Sequence, residues 1–229
     1  ETNWVVIHSE IAPKLNFACH QSAFALVRDL TIKNQDTEER LDDVLVTLTS
    51  DPAFIKPKSW TVDRIAPEGL VSVGNLDIDF EGEFLLNLTD AVRGSLTTRV
   101  EKDGLVLAEQ TTHVELLAYN EWGGSGFMPE LLAAFSLPND PAVDGILRDA
   151  SLVLRRAGKK DSLDGYESGS RQRVWEIVSA IYTAIANLGI SYAVPPASFE
   201  RDGQKIRFPS QILENRVATC LDTTMLFAS

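Results

Sequence analysis

The spacing of apolar residues changes once along this chain, near Tyr119, and that change constrains its fold more than any other feature. Upstream, apolar side chains recur at every second residue: Leu15, Phe17 and Cys19; Phe24, Leu26, Leu30 and Ile32; Val44, Val46 and Leu48. A period of two is that of half-buried β-strands, whose side chains alternate between faces. Downstream, the steps become three and four, the period of an amphipathic helix. The chain is therefore expected to be an α+β multidomain protein: a β module over residues 1–118, a glycine-rich connector over 119–126 and a mainly helical module over 127–229.

The β module is punctuated at Asn34-Gln35-Asp36, Ser50-Asp51-Pro52, Ala66-Pro67-Glu68-Gly69 and Lys102-Asp103-Gly104, residues that turn a chain. Seven or so short antiparallel strands over about 115 residues fit an immunoglobulin-like β-sandwich in architecture, without the Cys…Trp…Cys spacing of antibody domains. Val100 to Leu105 reads as a hairpin. The apolar phase moves from Val71 and Val73 to Leu76, Ile78 and Phe80, which predicts a bulge at Gly74-Asn75. Cys19 shares a face with Leu15 and Phe17 and is expected to pack as a small hydrophobe. His8, His20 and His113 lie apart without metal-ligand spacing.

Glu121-Trp122-Gly123-Gly124-Ser125-Gly126 is the connector, with Trp122 expected to pin the two modules together. No Lys-Ser or Lys-Thr follows at P-loop spacing, and no cofactor is expected. Pro129 to Phe135 predicts a short helix. Val143, Ile146, Leu147, Ala150, Val153, Leu154 and Ala157 predict a longer one closed by Gly158, and Val174 to Leu188 predict another ended by Gly189. Trp175 adjoins this second stripe and is expected in the core. The 18 uncharged residues from Ile177 to Val194 are interrupted by Asn187, Gly189 and Ser191, so no membrane span is expected. Ile190 to Val194 reads as a strand, and Phe199 to Phe208 as a hairpin turning at Asp202-Gly203.

Charge follows the same division. Residues 1–118 hold 10 Lys and Arg against 20 Asp and Glu, net −10, and residues 119–229 hold 11 against 13, net −2, within a formal total of −12. Phosphate backbones are bound through Lys and Arg that displace counterions, so the acidic first module is a poor non-specific nucleic-acid binder. Arg155, Arg156, Lys159 and Lys160 form a basic cluster that reads either as phosphate contacts or as a solvated helix end. Two cysteines at opposite ends of the chain exclude a disulfide framework and a Cys-rich zinc site, and point to a reducing, cytoplasmic setting. The chain opens at Glu1 without an initiator Met and stops at Ser229 within a predicted helix, as an excised fragment would.

Chemistry concentrates at the end of the chain. Thr219, followed three residues later by Asp222, has the form of a capping box that opens a helix with Leu221, Met225 and Ala228 on its inner face. Cys220 then falls in the first turn, where unsatisfied N–H groups favour a thiolate and the charge of Asp222 opposes it. On the residues alone, Cys220 is a nucleophile or a buried helix-start cysteine.

Asn215-Arg216-Val217-Ala218-Thr219-Cys220-Leu221-Asp222, with Leu226-Phe227, resembles the nucleophile helix of the transglutaminase-like cysteine superfamily, in which a Cys-x-Asp pair opens a helix after an Arg-containing loop. The resemblance implies that Cys220 is the nucleophile of a thiol hydrolase or acyl transferase, with its His and Asp partners on strands after this helix. Further phrases, among them Leu26-Val27-Arg28-Asp29-Leu30, Leu116-Leu117-Ala118-Tyr119-Asn120-Glu121-Trp122-Gly123-Gly124 and Met128-Pro129-Glu130-Leu131-Leu132-Ala133-Ala134-Phe135, resemble a bacterial family. In that family a β-sandwich and a transglutaminase-like module precede a superfamily-1 DNA helicase. This second resemblance implies an accessory or docking region whose partner is another protein or the rest of its own chain, with nucleic acid engaged through the parent helicase.

Overall fold

The computed structural model describes residues 4–127, 129–165 and 167–229; Glu1 and Met128, named in the readings above, lie outside the described residues. The chain is mixed α and β and separates into two units, Glu1–Gly123 and Gly124–Ser229, divided inside the glycine-rich connector.

The first unit runs β1 (Val5–Ile11), β2 (Lys14–Leu15), α1 (Phe17–Gln21), β3 (Val27–Asn34), β4 (Leu41–Asp51), β5 (Lys58–Ile65), β6 (Leu70–Ser72), α2 (Gly82–Leu86), β7 (Val92–Lys102), β8 (Leu105–Leu116) and β9 (Glu121–Trp122). One sheet is antiparallel in the order β1-β3-β6. The other has the order β2-β8-β7-β4-β5, with β2 parallel to β8 and the remaining pairs antiparallel. Alternation decides which side chains are inside. Val44, Val46 and Leu48 of β4 are buried while Leu45 between them is exposed, and Leu30 and Ile32 of β3 join Leu96, Val100 and Leu116 in the core. Each such side chain contributes about 1.5–3 kcal/mol when fully removed from water. Asp103 and Gly104 both have positive φ, 51° and 80°, as a two-residue β7–β8 turn that matches strand twist requires.

Three sequence expectations change in this unit. Phe17 and Cys19 are not on a strand: Asn16 accepts the Cys19 N–H through its side chain and starts α1, and local capping outweighs three alternating residues. Cys19 is nonetheless fully buried, and burial pushes its thiol up to about 11. Gly74-Asn75 is not a bulge, because β6 ends at Ser72 and the chain continues without ladder pairing until Phe80 bridges Ile55. The strands are also not uniformly short, since β4 and β7 have 11 residues and β8 has 12.

The second unit contains a 3-10 turn (Glu130–Phe135), α3 (Pro141–Arg156), α4 (Arg171–Ala186), β10 (Ser191–Tyr192), α5 (Phe199–Asp202), β11 (Gln204–Lys205), α6 (Pro209–Asn215), β12 (Val217–Ala218) and α7 (Cys220–Ala228). Asp140 caps α3 by accepting the Ala142 N–H, and Pro141 occupies its first turn, where no N–H is needed. Ile146, Ala150 and Leu154 of α3 pack with Ile177, Ala180, Ala184 and Ile185 of α4, joined by Ile212, Ala218 and Leu226. β10 and β12 pair in parallel, Ser191 with Val217 and Tyr192 with Ala218. Among the described residues no helix is long and apolar enough to cross a membrane.

The short helix expected over Pro129–Phe135 is present, as a 3-10 helix over Glu130–Phe135. Elsewhere in this unit the structure corrects the sequence. The expected hairpin over Phe199–Phe208 is instead the single turn α5, ended by Gly203 at φ 96°, after which Pro209 starts α6. Trp175 is 68% exposed, and Val174, Val178 and Tyr182 are also exposed. The buried stripe of α4 uses its small residues Ala180 and Ala184, which let the helices approach, so the wide apolar face is only partly covered. Arg173, by contrast, is 9% exposed. It donates to the carbonyls of Lys160 and Ser162 and pairs with Asp164 at 3.0 Å and Glu176 at 3.3 Å, fixing the 160–164 loop on α4.

Candidate functional site

The first turn of α7 is built as the Thr219–Asp222 pair implies. Thr219 Oγ1 accepts the Asp222 N–H at 3.2 Å, and Asp222 Oδ2 accepts the Thr219 N–H at 2.8 Å. Each residue satisfies a backbone donor of the other, closing a capping box. Cys220 is the first residue of the helix and is exposed, so the buried alternative does not describe it.

The inner face differs from expectation. Asp222, Met225 and Leu226 are buried, whereas Leu221 is half-buried and Ala228 exposed. Asp222 has no exposed surface, yet its charge is not left alone. Oδ1 accepts the Arg207 backbone N–H at 2.8 Å and Oδ2 receives the Arg207 guanidinium at 2.9 Å. A carboxylate engaged by two backbone N–H groups and a guanidinium is held as part of the scaffold under Cys220, not as a bare charge opposing it.

Gln204 completes this scaffold. It is 3% exposed, its Nε2 donates to Thr219 Oγ1 at 2.9 Å, and its Oε1 has no partner. On the solvent side of the helix, Thr223 and Thr224 donate their hydroxyls to the Cys220 carbonyl at 2.9 and 2.8 Å. Those two threonines, with Phe227, Tyr182, Ile185 and Tyr192, line a cavity of about 490 Å³ that has no charged side chain in its wall. Thr223, Thr224 and Phe227 stand three, four and seven positions on from Cys220, on the same face of α7, and Cys220 itself is not among the residues that line the cavity.

Arg207 and Gln204 were not legible as supporting residues. A buried Asp at the third helical position does require a cation, but Arg201, Lys205, Arg207 and Arg216 all precede it within 21 residues, and only the fold chooses among them. The basic cluster, in turn, is largely neutralised. Arg155 pairs with Asp161 at 2.6 Å, Lys159 with Glu176 at 2.8 Å and Lys160 with Asp164 at 2.5 Å, while Arg156 is exposed at the end of α3. Three of the four expected phosphate contacts thus already face a carboxylate, which favours the solvated helix-end reading.

His8, His20 and His113 are exposed residues of the first unit, and the Gly124–Ser229 unit contains no histidine. Among the described residues no group of three or more His, Cys, Asp or Glu is arranged to hold a metal ion. In comparisons with known proteins, no protein-family model and no curated protein sequence matches the chain.

Proposed function

We propose that the Gly124–Ser229 unit is a transglutaminase-like cysteine module in which Cys220 is the nucleophile of an acyl-transfer or hydrolysis reaction on an amide or thioester. The observation that carries this reading is the exposed thiol on the first residue of α7, beside the buried Thr219, Asp222 and Gln204, with the half-exposed Arg207 paired to Asp222. In the reaction, the Cys220 sulfur attacks the carbonyl carbon, a C–S bond forms, and the leaving amine or thiol departs to give an acyl-enzyme. The thiol proton passes to a base and then to the leaving group. That base comes from outside this unit, which has no histidine. The uncharged cavity along α7 favours an apolar acyl group.

Iodoacetamide labelling of the native chain at pH 7, read residue by residue by mass spectrometry, tests the reading. With the segment that supplies the base present, Cys220 is expected to react at least about tenfold faster than the same residue after urea unfolding. Equal rates would remove the nucleophile reading.

For the first unit we infer an immunoglobulin-like sandwich. Its support is the strand order: β1-β3-β6 against β8-β7-β4-β5, with β2 crossing to run parallel to β8, is the division of strands used by that architecture. The reading that the whole chain is an accessory region of a bacterial DNA helicase rests on the sequence phrases alone. Co-purification of a helicase with the tagged chain from a bacterial host carrying the gene is its test, and recovery of no helicase above an untagged control counts against it.

A further inference from the structure

At one end of the first unit, Trp4, the loop between β3 and β4 and the β7–β8 hairpin enclose a cavity of about 480 Å³. Part of its wall is exposed apolar surface. Trp4 is 55% exposed, Leu105 67% and Val106 46%, and all three are gathered on the same cavity. Scattered exposed hydrophobes need no explanation, but a gathered set with a polar rim marks a contact surface.

The rim has a sign. Asp36, Glu39 and Asp103 line the cavity against one cation, Lys102. Asp36 accepts the backbone N–H groups of Glu38 and Glu39 at 2.8 and 2.7 Å, and those bonds hold its carboxyl below the usual carboxylate range.

The walls are also fixed in place. Asn34 is fully buried, donates to the carbonyls of Glu39 and Ala66, and accepts the Asp36 N–H, so one side chain spans the loop. Gln35 N–H bonds the Trp4 carbonyl at 2.7 Å, and Glu68 N–H bonds the Asp36 carbonyl at 2.8 Å. The opposite wall is set by the positive-φ turn at Asp103 and Gly104. A surface held this way loses little freedom on binding.

We propose that this cavity is a docking site for a protein segment that alternates apolar and basic side chains, the apolar ones entering beside Trp4, Leu105 and Val106 and the basic ones meeting Asp36, Glu39 and Asp103. The site lies in the first unit and is independent of the chemistry assigned to Cys220.

The probe is a fluorescein-labelled decapeptide of alternating Leu and Lys, with alternating Leu–Glu and Ser–Lys decapeptides as controls, measured by fluorescence anisotropy on the full chain. The Leu–Lys peptide is expected to bind with Kd of about 50 µM, and each control at least about tenfold more weakly. Amide shifts in a 15N-labelled chain are expected to concentrate at residues 4–5, 34–41 and 102–107. The double variant Leu105→Ser, Val106→Ser, whose changes are on exposed side chains, is expected to weaken binding about tenfold, and Cys220→Ala to leave it unchanged. Equal binding of Leu–Lys and Ser–Lys peptides, undiminished binding to the double variant, or shifts spread over the acidic surface would each overturn the proposal. So would the absence of Leu–Lys binding.

Discussion

Arg207 meets Asp222 twice, through its backbone N–H on one carboxylate oxygen and its guanidinium on the other, at 2.8 and 2.9 Å. The approach to α6 and the first turn of α7 are thereby joined at a carboxylate with no exposed surface. A buried charge is tolerated only when it is paired and hydrogen-bonded.

Removing the cation should therefore cost more than a surface pair would. Arg207→Ala is expected to destabilise the chain by about 2–3 kcal/mol, because Asp222 remains buried with its charge uncompensated. Asp222→Asn together with Arg207→Ala is expected to recover part of that loss. Urea unfolding of Arg207→Ala, Asp222→Asn and the double variant checks the order, and a fully additive double variant would contradict the coupling.

Thr219 caps the helix that carries the candidate nucleophile. Thr219→Ala is expected to lose about 1–2 kcal/mol, and Thr219→Ser, which keeps the oxygen, much less. Thermal unfolding distinguishes them. In Thr219→Ala, Gln204 also loses the oxygen its Nε2 bonds, leaving both ends of its buried carboxamide unpartnered.

The two thiols should separate cleanly. Cys220 is exposed, whereas Cys19 is buried with its thiol raised to about 11. A disulfide reagent such as dithionitrobenzoate at pH 8 is expected to consume one thiol per chain quickly and the second only after unfolding. Rapid loss of both would mean that α1 opens readily.

Acid should weaken the second unit through its carboxylates. Asp164 is held below its usual 3.8 by hydrogen bonds from Lys160 and Arg173, and Glu176 below its usual 4.5, chiefly by Lys159. A lowered folded-state value means that the unfolded chain takes up protons first. The stabilisation is therefore complete above about pH 5 and is lost as pH falls through the carboxylate range. The stability difference between the natural chain and Asp164→Asn is expected to be constant above about pH 5 and to shrink steadily from there to about pH 2.5. A difference independent of pH would show that the charge is not the source.

How far the sequence carries depends on the range of the interaction. Period-two runs such as Val44, Val46 and Leu48 became strands, and the 3.6-residue stripe of α3 became a helix, because the pattern and the burial that rewards it lie in the same dozen residues. Thr219 and Asp222 formed their box for the same reason: both partners sit within one turn. Short segments with competing signals were not legible. Asn16 turned Phe17–Gln21 into a helix, and the turn at Phe199–Asp202 displaced a hairpin that its Asp-Gly pair suggested.

What only the tertiary structure decided are choices among equivalent residues. It selected Arg207 from several nearby cations for Asp222, buried Arg173 rather than Trp175 on α4, and matched Lys159 and Lys160 with carboxylates. The sequence by itself determined two periods, an acidic first half and a capped cysteine at the start of the last helix. Local pattern can specify those. Which charge is buried, and which apolar face stays open, depends on contacts between segments far apart in the chain, and no periodicity encodes them.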